Sequence, residues 1–165
     1  ICTHQRRCIF GEITADSLEL NNAGRAAAET WLWLGQRYTH VHLDEFIVMP
    51  NHVHGLIHLC TDDDATGGTQ RARKPLGRLI AAFKTVATQH INAQRPAPHS
   101  PVWQRGFYDH VVRSSDSLQR IRDYINTNPL RWAIDMENPS HARPTRGATT
   151  SINDAFADGP CRLNE

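Results

Sequence analysis

The spacing of hydrophobic and polar positions along the chain predicts three helices. Residues 25–34 are rich in Ala and Leu, and their apolar positions recur about every 3.6 residues, which is typical of an amphipathic helix. Trp31 and Leu34 are expected in the core, and Gly35 is expected to help end the helix. Residues 75–93 show the same spacing. A third helix is expected to begin after the capping sequence at 114–116 and to end near Pro129.

Four strands are expected before and between these helices. Residues 1–10 are strand-like, 41–49 end on a continuous apolar run, and 107–113 read as a short strand. Residues 52–59 alternate between two faces, and the turn pair at 50–51 joins them to the preceding strand as a tight hairpin. One face of this strand carries His52, His54, Leu56 and His58.

The order of these elements predicts the fold class. Strand, helix, two strands, helix, strand and helix in sequence favour an α+β fold: a ferredoxin-like antiparallel sheet with helices on one face and an added C-terminal helix. Residues 1–135 are expected to form one domain, whose first strand is truncated because the chain opens on Ile. Residues 136–165 are rich in Pro, Thr and Ser and are predicted to be a disordered tail.

Composition narrows the class of protein. The chain has 165 residues, 39% of them hydrophobic, which argues against a wholly disordered chain. No apolar run approaches the roughly 18 residues needed to span a bilayer, so we expect no membrane association. The four cysteines form no CxxC pair, so reduced cytosolic thiols are expected rather than a disulfide framework or structural zinc.

Charge is unevenly distributed although the net charge is only +1. Residues 71–131 contain eleven Lys or Arg residues against three Asp, a net +8, so the remainder carries −7. A basic half of this kind is typical of a surface that faces a polyanion, most often nucleic acid. A solvated charged face explains the same charges, and the residues alone leave both interpretations open.

Two histidines on one strand face are a candidate metal site. His52 and His54 project to the same side, which suits coordination of one ion. The chain also contains the same spacing at His40 and His42, so the bare pattern is a weak signal. The alternative is that these are polar-face histidines without a role.

The third helix carries a second candidate pair. Tyr124 and Asn128 lie one turn apart, beside the apolar stripe that includes Ile121 and Ile125. A tyrosine hydroxyl can act as a nucleophile, and an asparagine oxygen can be a hard metal ligand. The alternatives are that Tyr124 is a packing residue and that Asn128 marks the end of the helix before Pro129.

Three segments together resemble a known family. They are VMPNHVHG at 48–55, VWQRGFYDH at 102–110 and DYINTNP at 123–129. Their sequences and order resemble the REP-associated tyrosine transposases, which belong to the HUH group of single-strand transposases. The segment CTHQRRCIFGEI at 2–13 is similar to the N-terminal region of that family, so the resemblance covers most of residues 1–132.

The resemblance implies a role for each matched residue. His52 and His54 match the paired histidines that hold a catalytic divalent cation, Mg²⁺ or Mn²⁺. Tyr124 matches the nucleophilic tyrosine, which would make the added helix the catalytic one. Asn128 lies where such transposases place a third polar ligand.

The resemblance also implies an activity. It predicts a metal-dependent single-strand DNA endonuclease and strand transferase that acts through a 5′-phosphotyrosine intermediate on hairpin-forming repeat DNA. The partner would be single-stranded or hairpin DNA. The protein would be cytoplasmic and associated with a bacterial nucleoid, as a monomer or a homodimer. The alternatives are a domesticated hairpin-DNA-binding protein that does not cleave, and a metal hydrolase in which Tyr124 is structural.

Basic and aromatic side chains are the candidate DNA contacts. The predicted phosphate-binding residues are Arg71, Arg73, Lys74, Arg78, Lys84 and Arg105. Trp103, Phe107 and Tyr108 are candidates for base stacking, although core packing is expected for at least two of them. The role of His110 stays open between DNA contact, proton transfer and neither.

Overall fold

The structure, a computed structural model, describes residues 1–14, 17–60, 74–96, 100–135, 137–139 and 162–164. The fold is α+β, as predicted. Its helices are α1 (Asn22–Arg37), α2 (Leu76–Ala93) and α3 (Ser115–Arg131). Its strands are β1 (Gly11–Thr14), β2 (Ser17–Leu20), β3 (Val41–Met49), β4 (His52–Leu59), β5 (Phe107–Asp109) and β6 (Arg162–Asn164).

The β3–β4 hairpin contains the two longest strands that the structure describes, and both strands have the predicted bounds. Met49 pairs with His52 across a two-residue turn, and Val48 pairs with Val53. The N-terminal segment lies along β4, where the Val53 amide donates to the Ile1 carbonyl at 2.8 Å. Residues 102–104 pair with the other edge of that segment through a 3.1 Å bond from the Gln104 amide to the Cys2 carbonyl.

These antiparallel backbone bonds place four segments side by side. Their order is 102–104, 1–3, β4 and β3. This is the neighbour order of a ferredoxin-like sheet, in which the first segment of the chain lies between the third and the fourth. The neighbour order is the predicted one, but it rests on isolated bridges at Cys2 and Thr3, and the fourth segment is 102–104 because the strand predicted at 107–113 pairs with β6 instead.

The two faces of this sheet are covered by different helices. Val53 belongs to the same buried core as Trp31 of α1 and Phe83 of α2, so these two helices share one face. Residue 54 points the opposite way because side chains alternate along a strand. Its ring contacts Tyr124 of α3, so α3 covers the other face.

Helix boundaries differ from the prediction at two residues. Asn21 caps α1 by accepting from the amides of Ala23 at 2.9 Å and Gly24 at 3.1 Å. The prediction that Gly35 ends this helix is wrong, because α1 continues to Arg37 and Gly35 lies inside it, close to Leu43. Helix α3 passes through Pro129 and ends at Arg131, two residues beyond the predicted end.

The strand-like reading of residues 1–10 is wrong for most of that segment. Only residues 2 and 3 form sheet bridges, and a short 3₁₀ turn follows at His4–Arg6. Gln5 and Arg6 adopt left-handed φ values of 56° and 53°, which end the strand. The β1–β2 hairpin that comes next was not predicted, although Ile13, Leu18 and Leu20 alternate with polar residues.

The third predicted region that differs is the C-terminal part of the chain. Strand β5 is three residues long rather than extending to 113. It pairs antiparallel with β6, which lies within the segment expected to be disordered. Most of 136–165 lies outside the described residues, so the domain boundary at 135 stays a prediction.

Within the described ranges, Cys2 and Cys8 are free thiols. No helix among these residues is both long and apolar enough to cross a lipid bilayer.

Candidate active site

The two histidines of β4 lie side by side on the face that α3 covers. The ring centroids of His52 and His54 are 4.6 Å apart and the rings are nearly perpendicular, at 79°. His52 is 1% exposed. The Nε2 atoms of both rings are buried and have no hydrogen-bond partner among the described residues. The predicted pair is therefore brought together with two unused ring nitrogens.

Burial keeps both imidazoles neutral. It is the main reason that the pKa of His54 is lowered to about 3. Burial is also the main reason that the pKa of His52 lies well below its usual range, and the neighbouring His54 adds to this shift. A neutral imidazole keeps a lone pair available, which is the form that binds metal ions.

Helix α3 places Tyr124 and Asn128 beside these histidines. The Tyr124 ring lies 5.4 Å from the His54 ring, at 81°. Asn128 is 1% exposed and donates a side-chain hydrogen bond to the Tyr124 oxygen. Its Oδ1 atom is buried and lacks a partner in the described part of the chain. The interpretation of Asn128 as no more than a helix end is wrong, because α3 continues past it.

The phenol of Tyr124 is held in its neutral form. Partial burial raises its pKa to about 12, and the carboxylate of Asp135 raises it as well. The hydrogen bond from Asn128 acts in the opposite direction because it stabilises the phenolate. At neutral pH the hydroxyl therefore carries its proton.

An ion pair fixes the position of α3 on the hairpin. The Arg122 Nε atom donates to Asp44 Oδ1 at 3.0 Å, and Nη2 donates to Oδ2 at 2.6 Å. This bidentate contact lowers the pKa of the Asp44 carboxyl, mainly through the hydrogen bond itself. Ile121 and Ile125 are buried on the same helix, so packing and charge both hold α3 across β3 and β4.

The donor set fits a divalent cation. His52 Nε2, His54 Nε2 and Asn128 Oδ1 are three buried lone-pair donors on one face, each without a protein partner among the described residues. Two imidazoles and an amide oxygen suit Mn²⁺ well. Mg²⁺ prefers oxygen ligands, and of these three groups only the amide supplies one. No group of three His, Cys, Asp or Glu side chains that could hold a metal ion is found in the described ranges.

Several residues around the histidines were missed from the sequence. Asn51 is fully buried, and its Oδ1 accepts a 2.8 Å hydrogen bond from His52 Nδ1. Glu137 forms a 2.9 Å ion pair with Arg6, and Trp132 lies 6.2 Å from the His52 ring. The sequence marked Asn51 only as a turn residue, and nothing in it indicated that its amide faces inward.

The structure describes four of the six predicted DNA-binding residues. Arg71 and Arg73 lie outside the described residues, and Arg78 and Arg105 are exposed. Lys74 is exposed and lies over the Tyr38 ring at 5.2 Å.

Lys84 is half-buried, and its Nζ donates to the carbonyls of Gln104 at 2.9 Å and Gly106 at 2.5 Å. That amino group holds the 104–106 segment in place, and burial lowers its pKa. DNA binding by this set stays a prediction.

The three aromatic candidates separate as expected between core and surface. Trp103 packs 5.2 Å from both Phe10 and Phe83, and Phe107 is 9% exposed, so both belong to the core. Tyr108 is 57% exposed and is the one of the three that could stack on a base. His110 is half-buried, and its role remains open.

Comparison of the sequence with known proteins places the chain in a family. An uncharacterized protein of Haemophilus influenzae is 31% identical over 146 residues, which cover 82% of this chain and 80% of that protein. The chain belongs to the same family as this protein.

A second member of the comparison, also from Haemophilus influenzae, is named "Putative REP-associated tyrosine transposase". It is 29% identical over 93 residues, 51% of this chain and 47% of its own length. The similarity connects the family with transposase-like proteins. No family model and no solved structure matches the chain.

Proposed function

We propose that this family member is a metal-dependent single-strand DNA endonuclease and strand transferase that acts through a 5′-phosphotyrosine on Tyr124, on hairpin-forming DNA. The observation that carries the proposal is the juxtaposition of the Tyr124 phenol with His54 and Asn128 on one face of the sheet. A nucleophile and three unused donors in one buried cluster are what phosphodiester transfer requires.

The phosphoryl transfer would leave the DNA phosphate on the protein. The Tyr124 oxygen attacks phosphorus, a phenolic O–P bond forms, and the bond from phosphorus to the 3′ oxygen breaks. The phenolic proton is transferred to the departing 3′ oxygen, which becomes a free hydroxyl. Attack by a second 3′ hydroxyl on the phosphotyrosine would reverse these changes and join the strands without ATP.

The chain's own residues would orient the reacting groups. His52, His54 and Asn128 would hold Mg²⁺ or Mn²⁺, which would supply Lewis-acid polarisation of the scissile phosphate. The hydrogen bond from Asn128 to the Tyr124 oxygen favours the developing phenolate, which offsets part of the pKa increase caused by burial. The Asp44–Arg122 ion pair keeps the helix in register with the histidines.

A covalent adduct tests the proposal. The protein is incubated with labelled single-stranded hairpins, with Mn²⁺ or with EDTA, and analysed on a denaturing gel. We expect a shifted protein–DNA band that needs Mn²⁺ and is lost in Tyr124→Phe. Tyr108→Phe is the matched control, because Tyr108 is exposed on β5, and should keep the band.

The other outcomes correspond to the alternatives. Binding without an adduct in the native protein would indicate a hairpin-DNA-binding protein that does not cleave. Cleavage that survives Tyr124→Phe would indicate a metal hydrolase in which Tyr124 is structural. Either result would contradict the proposed function.

A further inference from the structure

The buried side chain of Asn51 makes hydrogen bonds from both ends of its amide. Asn51 lies in the β3–β4 turn and is 0% exposed. Its Nδ2 atom donates to the Arg6 carbonyl at 3.1 Å and to the Glu137 carbonyl at 2.6 Å. Its Oδ1 atom lies 2.8 Å from Nδ1 of His52. The amide therefore has no free polar group.

Hydrogen-bond chemistry fixes the direction of each of these bonds. A carbonyl oxygen can only accept, so the end of the amide that faces two carbonyls must be the nitrogen. The end that faces His52 must then be the oxygen, which also can only accept. Nδ1 of His52 must therefore carry the proton, and the lone pair of the neutral ring is on Nε2, the atom without a partner among the described residues.

We propose that Asn51 is a positioning residue that holds His52 with Nδ1 protonated and its Nε2 lone pair facing the cation site. That the lone pair serves a cation rests on the proposed function. The tautomer of His52 depends only on the hydrogen bonds of Asn51. A partner on the second ring nitrogen that fixes tautomer and orientation is common for metal-binding histidines.

The same amide links three parts of the chain. Its bond to the Glu137 carbonyl holds the segment that follows α3, and its bond to the Arg6 carbonyl holds the N-terminal turn. The ion pair between the side chains of Arg6 and Glu137 closes this link at 2.9 Å. Asn51 thus connects the histidine strand with the segment directly after the helix that carries Tyr124.

Two substitutions separate the acceptor and donor ends of Asn51. Asn51→Ala removes both. Asn51→Asp keeps an acceptor for His52 but loses the two N–H donors to the carbonyls. Asn21→Ala is the matched control. It removes the side chain of an exposed asparagine that caps α1, away from the histidines.

The first measurement is made on the metal-free protein. Nitrogen-15 NMR shows which ring nitrogen of His52 carries the proton. We expect Nδ1–H in the native protein, in Asn51→Asp and in Asn21→Ala, and loss of this single tautomer in Asn51→Ala. Hydrogen exchange in residues 132–138 should accelerate in both Asn51 variants, because both lose the bond to the Glu137 carbonyl.

The second measurement is Mn²⁺ binding, followed by electron paramagnetic resonance of free Mn²⁺. Asn51→Ala should weaken Mn²⁺ binding about 10–100-fold. The Mn²⁺ affinities of Asn51→Asp and Asn21→Ala should stay within a few-fold of that of the native protein. Should Asn51→Ala not fold, the tautomer in Asn51→Asp decides, since Nε2–H there would overturn the proposal.

The proposal and the proposed function fail in different ways. An Asn51→Ala protein that keeps the Nδ1–H tautomer and binds Mn²⁺ within twofold of the native protein overturns the role of Asn51. A native protein that forms no adduct, but whose Nδ1–H tautomer disappears in Asn51→Ala, overturns the proposed function and leaves the positioning of His52 supported.

Discussion

At the scale of single residues, the candidate site combines side chains placed by local spacing with one side chain, Asn51, held by contacts that are distant along the chain. Strict alternation along a strand is enough to put His52 and His54 on one face, and a spacing of four is enough to put Tyr124 near Asn128. The direction of the Asn51 side chain could not be predicted in this way. It depends on the carbonyls of Arg6 and Glu137, which lie far from Asn51 along the chain.

The ionisation of Tyr124 is the residue-scale prediction. Because its pKa is raised to about 12, its hydroxyl should remain protonated at pH 10.5, where a tyrosine with the usual value of 10.0 is mostly ionised. The raised pKa of Tyr124 also affects the free energy of unfolding. Its full stabilising contribution is present below pH 10 and is lost as the pH rises toward 12, because the unfolded chain then releases a proton that the folded chain retains.

NMR of Cζ-labelled tyrosine measures this ionisation. The Tyr124 signal, assigned by its disappearance in Tyr124→Phe, should not move between pH 8 and 10.5 in the metal-free protein. The same signal in the urea-unfolded chain is the control and should titrate near 10. A folded-state midpoint at or below 10 would contradict the burial of this phenol.

At the scale of secondary structure, periodicity located α1, α2, α3, β3 and β4, but not every boundary or partner. Gly35 was a reasonable stop signal, yet a glycine inside a helix is tolerated where packing demands a small residue, and here Leu43 approaches it closely. The contact of α3 with β3 rests on Asp44 and Arg122, which are 78 residues apart. Local patterns carry no information on such a pair.

The packing of α1 on β4 gives the element-scale prediction. A Cβ added at Gly55 would lie 2.3 Å from Cζ2 of Trp31, whose indole is 2% exposed and packs on Phe46 and Phe83. The indole has no room to move, so Gly55→Ala should lower the free energy of unfolding by about 1–3 kcal/mol.

Urea unfolding checks the Gly55 variant against a matched glycine. At Gly77, in the first turn of α2, an added Cβ meets nothing within 4 Å. Gly77→Ala should therefore leave the stability unchanged or raise it by up to about 1 kcal/mol, from helix propensity. Equal free energies of unfolding for the two variants would show that Trp31 of α1 does not pack tightly against Gly55 of β4.

At the scale of the whole molecule, the element order predicted the α+β class and the neighbour order of the sheet, because the rules for connecting strands and helices leave few topologies. The additions to that plan were harder to foresee. The β1–β2 hairpin is short and half polar, and β6 pairs with β5 from a segment whose composition is typical of disorder. Long-range pairing decides such elements, and composition does not.

The arrangement of the site within one chain gives the whole-molecule prediction. The Tyr124 ring contacts His54 of the same chain, so one copy contains the nucleophile and the candidate metal ligands together. A mixture of Tyr124→Phe and His54→Ala, refolded together, should therefore form no more DNA adduct than either variant alone.

Each variant refolded with the native protein is the control, and there the adduct of the native share should persist. Recovery of the adduct in the doubly mutant mixture would mean that two copies exchange α3 and share their sites.

The position of residues 1–3 between β4 and 102–104 has a consequence for synthesis of the protein. Residues 1–3 leave the ribosome before both of their neighbours, and the second neighbour is not complete until residue 104 has been made. At about 5–20 residues per second, that interval lasts roughly 5–20 s. During it the future middle of the sheet has an open edge, where chaperones or another nascent chain can bind.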